Sequence, residues 1–98
     1  MAQFDVYRFA SRELVLDCQA DVVSILQTRL VVPLLNPAVV PDALKSLHPL
    51  FEVEGRELLM ATHLATAVGR NELGEPLLSL EHRRYEILNA LDFLISGV

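Results

Sequence analysis

A chain of 98 residues, 52% hydrophobic and 21% charged, has material for one core but not two, so a single domain spanning residues 1–98 is expected. Its formal net charge of −5, with eight lysines and arginines in all, argues against a protein that grips nucleic acid unaided, because such binding rests on neutralising phosphates. No apolar run is long enough to span a bilayer, the start MAQFDVYRF lacks the features of a signal peptide, and Cys18 has no second cysteine to pair with; a cytoplasmic protein is the expectation.

The apolar share is high for so short a chain, and part of it is expected to meet another subunit. Residues 3–9 are rich in β-formers and read as a strand, although the alternation slips between Phe4/Val6 and Tyr7/Phe9, as a bulge or burial on both faces would produce. A turn over residues 10–13 leads to a second strand, in which Leu14, Leu16, Cys18 and Ala20 alternate with Val15, Asp17, Gln19 and Asp21; this predicts a half-buried strand with Cys18 inward. A nucleophilic role for Cys18 would require a neighbouring base, and a buried small side chain is the simpler reading. Residues 22–27 carry Val22, Val23, Ile25 and Leu26 with no clear period, so this connection either folds back under itself or is offered to a partner.

Residues 29–35, RLVVPLL, form the strongest strand and are apolar on both faces. Pro33 has no N–H and is expected at a sheet edge, a bulge or a strand end. A core position suits such a strand, and so does a dimer interface drawing on residues 30–34. Prolines punctuate residues 36–49, with a helical turn expected at 42–47. Residues 50–53 and 57–62 flank Glu54-Gly55 and read as a hairpin; 62–68 continue as strand or loop, and 69–76 are turn-rich.

The last stretch, LEHRRYEILNALDFLISGV, has helical period and two faces. Leu80, Ile87, Leu91, Leu94 and Ile95, flanked by Leu88, make an apolar stripe for burial; Tyr85, Asn89, Asp92 and Ser96, beside Phe93, make an outward one. Ser79 and Glu81 suit the start of this helix and Gly97 its end, so that Val98 is presented beyond the helix. Such a helix can merely close a core, or it can present its end to a partner. Strands first and one helix last make the fold class α+β, with a mainly antiparallel sheet.

Motifs for chemistry are sparse. His48, His63 and His82 have no metal-ligand spacing, and no nucleotide-binding or nucleophile-elbow motif occurs, so no metal, no cofactor and no catalytic residue is expected. His82-Arg83-Arg84 is a small basic cluster that reads as a solvated face or as a contact for a partner or phosphate.

From end to end the chain resembles the CcdB family of toxins from toxin–antitoxin modules: QFDVYRF, LDCQADVV, TRLVVPLL, the hairpin through LLMATHLAT, and LSLEHRRYEILNALDFLISGV occur in matching order and spacing. The resemblance implies an SH3-like barrel with a C-terminal α-helix, a homodimer, no catalysis, and poisoning of DNA gyrase through its A subunit. It also implies a CcdA-like antitoxin whose disordered tail wraps the toxin, and contact with DNA only through the antitoxin complex, which represses its own promoter. Carried over by position, the gyrase contacts fall on Val22, Val23, Asp92, Ile95, Ser96, Gly97 and Val98. Ser96 stands where a bulky Trp is usual in the family, Val98 where Ile is usual, and the 10–13 turn is shorter than in the best-known members. Two alternatives remain beside the gyrase poison: an endoribonuclease like MazF of the same fold class, with Arg29 and Thr28 or His63 as candidate groups, and a remnant that dimerises and binds antitoxin without harming gyrase.

Overall fold

The computed structural model of the protein describes residues 2–9 and 11–97. Its strands are β1 (Asp5–Arg8), β2 (Leu14–Asp17), β3 (Thr28–Leu35), β4 (Leu50–Val53), β5 (Arg56–Met60), β6 (Thr66–Gly69) and β7 (Leu78–Ser79); the helix α1 spans Arg84–Ser96. Among the described residues these strands make one antiparallel sheet in the order β4-β5-β3-β2-β1-β7, with β6 also paired to β3. The sheet curls into a half-barrel with the helix packed at its end, an α+β SH3-like architecture.

Two cores explain why the first strands break simple alternation. On one face Phe4, Val6, Leu14, Leu16, Cys18, Val32 and Leu34 meet the hairpin residues Phe51, Val53, Leu58 and Met60 and the helix residues Ile87 and Ala90. On the other face Tyr7, Val15 and Val31 are covered by Leu73, with Val68 and Phe9 packed at the margin. The slip noted at Phe4–Phe9 is therefore burial on both faces, Val6 turning to one core and Tyr7 to the other. For β2 the expectation of a half-buried strand is corrected: all four of its residues are buried, Asp17 included.

Asp17 tolerates this because Arg29 is buried with it, Nε donating to Oδ2 at 2.9 Å and Nη2 standing 2.7 Å from the same oxygen. The Gln19 N–H donates to Oδ1 at 3.0 Å. The Tyr7 hydroxyl lies in the same second core and has no hydrogen-bond partner among the described residues. Burial, with the Asp5 and Asp17 charges, pushes it up to about 12. With no well-formed hydrogen bond to offset the desolvation of that hydroxyl, and only the nearby Asp5 carboxylate to lose, Tyr7→Phe is expected to be within about 1 kcal/mol of wild type, as read by urea denaturation.

β3 occupies the middle of the sheet. One edge pairs with β2 over Val31–Leu34, while the other is shared, Thr28–Val31 with β6 and Leu34–Leu35 with β5. Pro33 falls between those two partners, where its missing N–H leaves no ladder bond unmade; its carbonyl accepts from Ala61 N–H at 2.9 Å. Val31, Val32 and Leu34 are spent on the protein's own cores. A dimer interface drawn from residues 30–34 is thus corrected: only Leu30 offers much surface, and the strand's other large side chains are already covered.

The hairpin expectation holds. Val53 pairs with Arg56, and the two-residue loop has Glu54 at φ 53° and Gly55 at φ 78°, the positive pair that a type I′ turn demands. The helical turn expected at 42–47 forms at 44–48, where the Leu47 and His48 N–H groups both donate to the Leu44 carbonyl. Beyond the 3-10 turn Thr62–Leu64 the chain does continue as a strand, β6. Sequence reading missed β7, which is two residues long and pairs with β1.

Candidate functional site

The C-terminal helix is positioned by a short lead. Ser79 Oγ accepts from the Glu81 N–H at 3.1 Å, a 3-10 turn spans Glu81–Arg83, and α1 follows. Arg83 anchors the first turn, its guanidinium paired with Glu86 and set 4.8 Å over the Phe51 ring. At the far end Gly97 takes φ 75°, and its N–H donates to the Phe93 carbonyl at 2.9 Å, the left-handed stop that glycine adopts without penalty.

Of the apolar stripe read from sequence, Leu80 and Ile87 are buried and Leu88 and Leu91 pack at the core margin, joined by Ala90. Leu94 and Ile95 are a correction: both are exposed, Ile95 to 83%. The sheet ends before the helix does, so the last turn has no core to reach. The opposite stripe lies outward as expected, with Tyr85, Asn89, Asp92 and Ser96 all exposed. Ser96 Oγ donates to the Asp92 carbonyl at 2.7 Å, so its hydroxyl proton is used within the helix.

The apolar connection near residue 22 resolves in favour of exposure. Asp21–Val23 form a 3-10 turn held by Gln3 N–H to Asp21 Oδ1 at 2.8 Å and by Gln19 Nε2 to the Val23 carbonyl at 3.0 Å. Arg70 Nη1 also reaches the Ser24 carbonyl. Polar groups thus hold the backbone while the side chains stand out: Val22 is 88% exposed, and Val23, Ile25 and Leu26 are exposed as well. A fixed loop that shows four large apolar side chains to water is suited to contact with another macromolecule.

A groove of about 1060 Å³ runs between α1 and residues 43–50. Asn89, Asp92, Phe93 and Gly97 line it from the helix, and Lys45, Ser46, His48 and Leu50 from the facing segment. Of the residues singled out from sequence, Asp92 and Gly97 come together here; Ile95 and Ser96 share the exposed last turn. Val22 and Val23 belong to the separate loop, and among the described residues no hydrogen bond or ion pair links that loop to the helix. Val98 lies outside the described residues.

The residues weighed for ribonuclease chemistry do not assemble. Arg29 is sealed against Asp17, Thr28 is exposed beside Gly69, and His63 is hydrogen-bonded to His48. Cys18 is buried, and burial pushes its thiol up to about 12, which makes it a poor nucleophile. Among the described residues no cluster of three or more metal-ligating side chains forms, and no helix is long and apolar enough to cross a membrane. Two features escaped sequence reading: the buried Asp17–Arg29 pair, signalled only by an acid and a base on adjacent apolar strands, and the contact between His48 and His63, which have no helical or strand spacing to join them.

A curled antiparallel half-barrel closed by a C-terminal helix is a small SH3-like domain, and it exposes apolar side chains on one loop and at the helix end. The CcdB protein family model matches residues 3–97, and the chain belongs to that family, among the toxins of toxin–antitoxin modules.

Proposed function

We propose that this protein binds the DNA gyrase A subunit and traps the gyrase–DNA cleavage complex, the bond chemistry belonging to gyrase and the complementary surface to the toxin. The contact surface comprises Val22, Val23, Asp92, Ile95, Ser96, Gly97 and Val98. The observation that carries this reading is the exposure of Ile95 and Val22, large apolar side chains on backbone fixed by hydrogen bonds. Family membership supports assigning both to one surface. A CcdA-like antitoxin is the proposed regulator, folding as it binds, with DNA engaged only through that complex. The working unit is proposed to be a homodimer, because the remaining exposed apolar residues exceed what a small monomer leaves in water without use; sedimentation at micromolar concentration reads this directly, and a monomer would overturn it.

Gyrase binding, supercoiling and DNA-cleavage assays test the function. Ile95→Asp is expected to weaken gyrase binding by at least about 2 kcal/mol, roughly thirtyfold in Kd, since a charge would be buried against an apolar pocket. Because Ile95 is exposed, its melting temperature should stay near that of wild type. Unchanged binding by Ile95→Asp would overturn the assignment.

Ser96 favours a second reading, a dimer that binds antitoxin but spares gyrase. With its hydroxyl directed to the Asp92 carbonyl it supplies neither an aromatic anchor nor a donor to a partner. Ser96→Trp is expected to tighten gyrase binding by about 1–2 kcal/mol. Wild-type protein inert in every gyrase assay, with activity restored by Ser96→Trp, would establish the second reading. Incubation with single-stranded RNA is the control for an endoribonuclease, which the burial of Arg29 opposes.

A further inference from the structure

We propose that His48, braced by His63, forms a pH-sensitive latch, which closes the 44–48 turn along one wall of the groove while the His48 imidazole is neutral and releases it when that ring takes up a proton.

The turn is held from both directions. The Leu44 carbonyl accepts from Leu47 N–H at 2.9 Å and from His48 N–H at 2.7 Å. In return the Leu44 N–H donates to His48 Nδ1 at 2.9 Å. That bond fixes the tautomer: Nδ1 carries the lone pair, so the proton of neutral His48 is on Nε2. His48 Nε2 lies 2.8 Å from His63 Nδ1, with the rings edge to face at 4.8 Å. His48 is therefore the donor, and His63 accepts on Nδ1 and carries its own proton on Nε2.

A proton added to His48 opposes this arrangement. On Nδ1 it faces the Leu44 N–H, donor against donor. His48 is buried and cannot protonate without giving up the Leu44 bond. Burial, then the nearby His63, lowers the His48 value below that of an ordinary histidine.

The same tautomer argues against a metal at this pair. A ligating histidine donates its other N–H to a second group, while the other nitrogen of His48 accepts from a backbone N–H. The charged and titratable groups around His48 are Asp42 and Lys45 from its own segment, His63 from the 62–64 turn, and Glu86 and Asp92 from α1. Glu86 is held by Arg83. The residues that β3 and β5 bring there, Leu35 and Leu59, are apolar.

The linkage has a definite sign. The open turn binds protons at ordinary histidine strength and the closed turn binds them more weakly, so closure is complete above about pH 6.5 and is lost as pH falls below it. Opening coupled to one proton grows up to about tenfold per pH unit in that range. Because His48 and Lys45 line the groove opposite Asn89 and Asp92, release alters the wall facing the outward side of α1. The latch is a property of the protein alone and stands or falls independently of gyrase.

Imidazole nitrogen NMR and amide hydrogen exchange on the purified full-length protein test it. At neutral pH both rings should be Nε2–H tautomers, and Leu44 amide protection, corrected for intrinsic exchange, should fall by up to about fivefold between pH 6.5 and pH 5.5. His48→Asn presents an amide oxygen where Nδ1 was and does not titrate, so its Leu44 protection should be flat across the range. His63→Asn retains an acceptor for His48 and should still release. An Nδ1–H tautomer at His48, flat wild-type protection, or a His48→Asn variant that loses protection as wild type does would each overturn the latch. If His48→Asn does not fold, the wild-type tautomers and the His63→Asn exchange profile still decide the matter.

Discussion

Arg29→Met is expected to destabilise the protein by about 3–5 kcal/mol, read as a shift in the urea midpoint, because it strands the Asp17 carboxylate in a core with no counter-ion. Both side chains are wholly buried, so water cannot take over the lost contacts. The double variant Asp17→Leu/Arg29→Met should recover most of the loss, since replacing a buried pair by apolar groups of similar volume is often neutral or better. Recovery would identify the single-variant deficit as the cost of an unpaired charge, whereas an additive loss would mean that the two side chains are not energetically coupled.

The pH dependence of that variant has a definite direction. In the wild-type protein burial pushes the Asp17 carboxyl up, opposed by the Arg29 guanidinium and the Gln19 N–H. Removing Arg29 deletes the main opposing influence and raises it further. Above the ordinary carboxylate value of about 3.9 the folded variant then holds a proton that the unfolded chain does not. With more protons bound folded than unfolded, stability falls as pH rises through that window. The deficit of Arg29→Met relative to wild type should accordingly shrink on acidification, as thermal melts across an acid-to-neutral series would show. A deficit independent of pH would point to lost packing of the arginine stem instead.

Ile87→Ala and Ile95→Ala provide the second contrast, the same chemical change on one helix. Ile87 is fully buried among the hairpin and strand residues of the main core, so its truncation is expected to cost about 2–5 kcal/mol, including the cavity left behind. Ile95 is 83% exposed, and its truncation should cost about 0.5 kcal/mol or less in stability. On the proposed function, gyrase affinity should respond in the reverse order once both variants are measured at a temperature where both are folded. Were Ile95→Ala to melt as early as Ile87→Ala, the last helical turn would be part of the core.

Much of the architecture follows from local features. The positive-φ turn at Glu54-Gly55, the two-faced period of the last helix and the Gly97 stop act over a few neighbouring residues, and chain order alone displays them. Ile87 and Leu91 share a face with Leu94 and Ile95 by helical period, yet period cannot tell where the sheet beneath that face ends. Tertiary structure decided that, leaving the last turn in solvent. The same limit applies to Asp17, which alternation places outward. The second core, closed by Leu73 from a distant connection, puts water out of its reach and makes Arg29 its necessary partner. Pro33 signals an edge by its missing N–H; the fold provides instead a gap between two neighbours in the middle of the sheet. His48 and His63 are brought together only when the 44–48 turn and the 62–64 turn fold against each other, a contact between loops whose conformations the sequence does not repeat or phase. Sequence determined most of the elements and the family, because these depend on short-range pattern and order. Burial, pairing and tautomer belong to the tertiary structure, because each depends on what lies across the core from a residue.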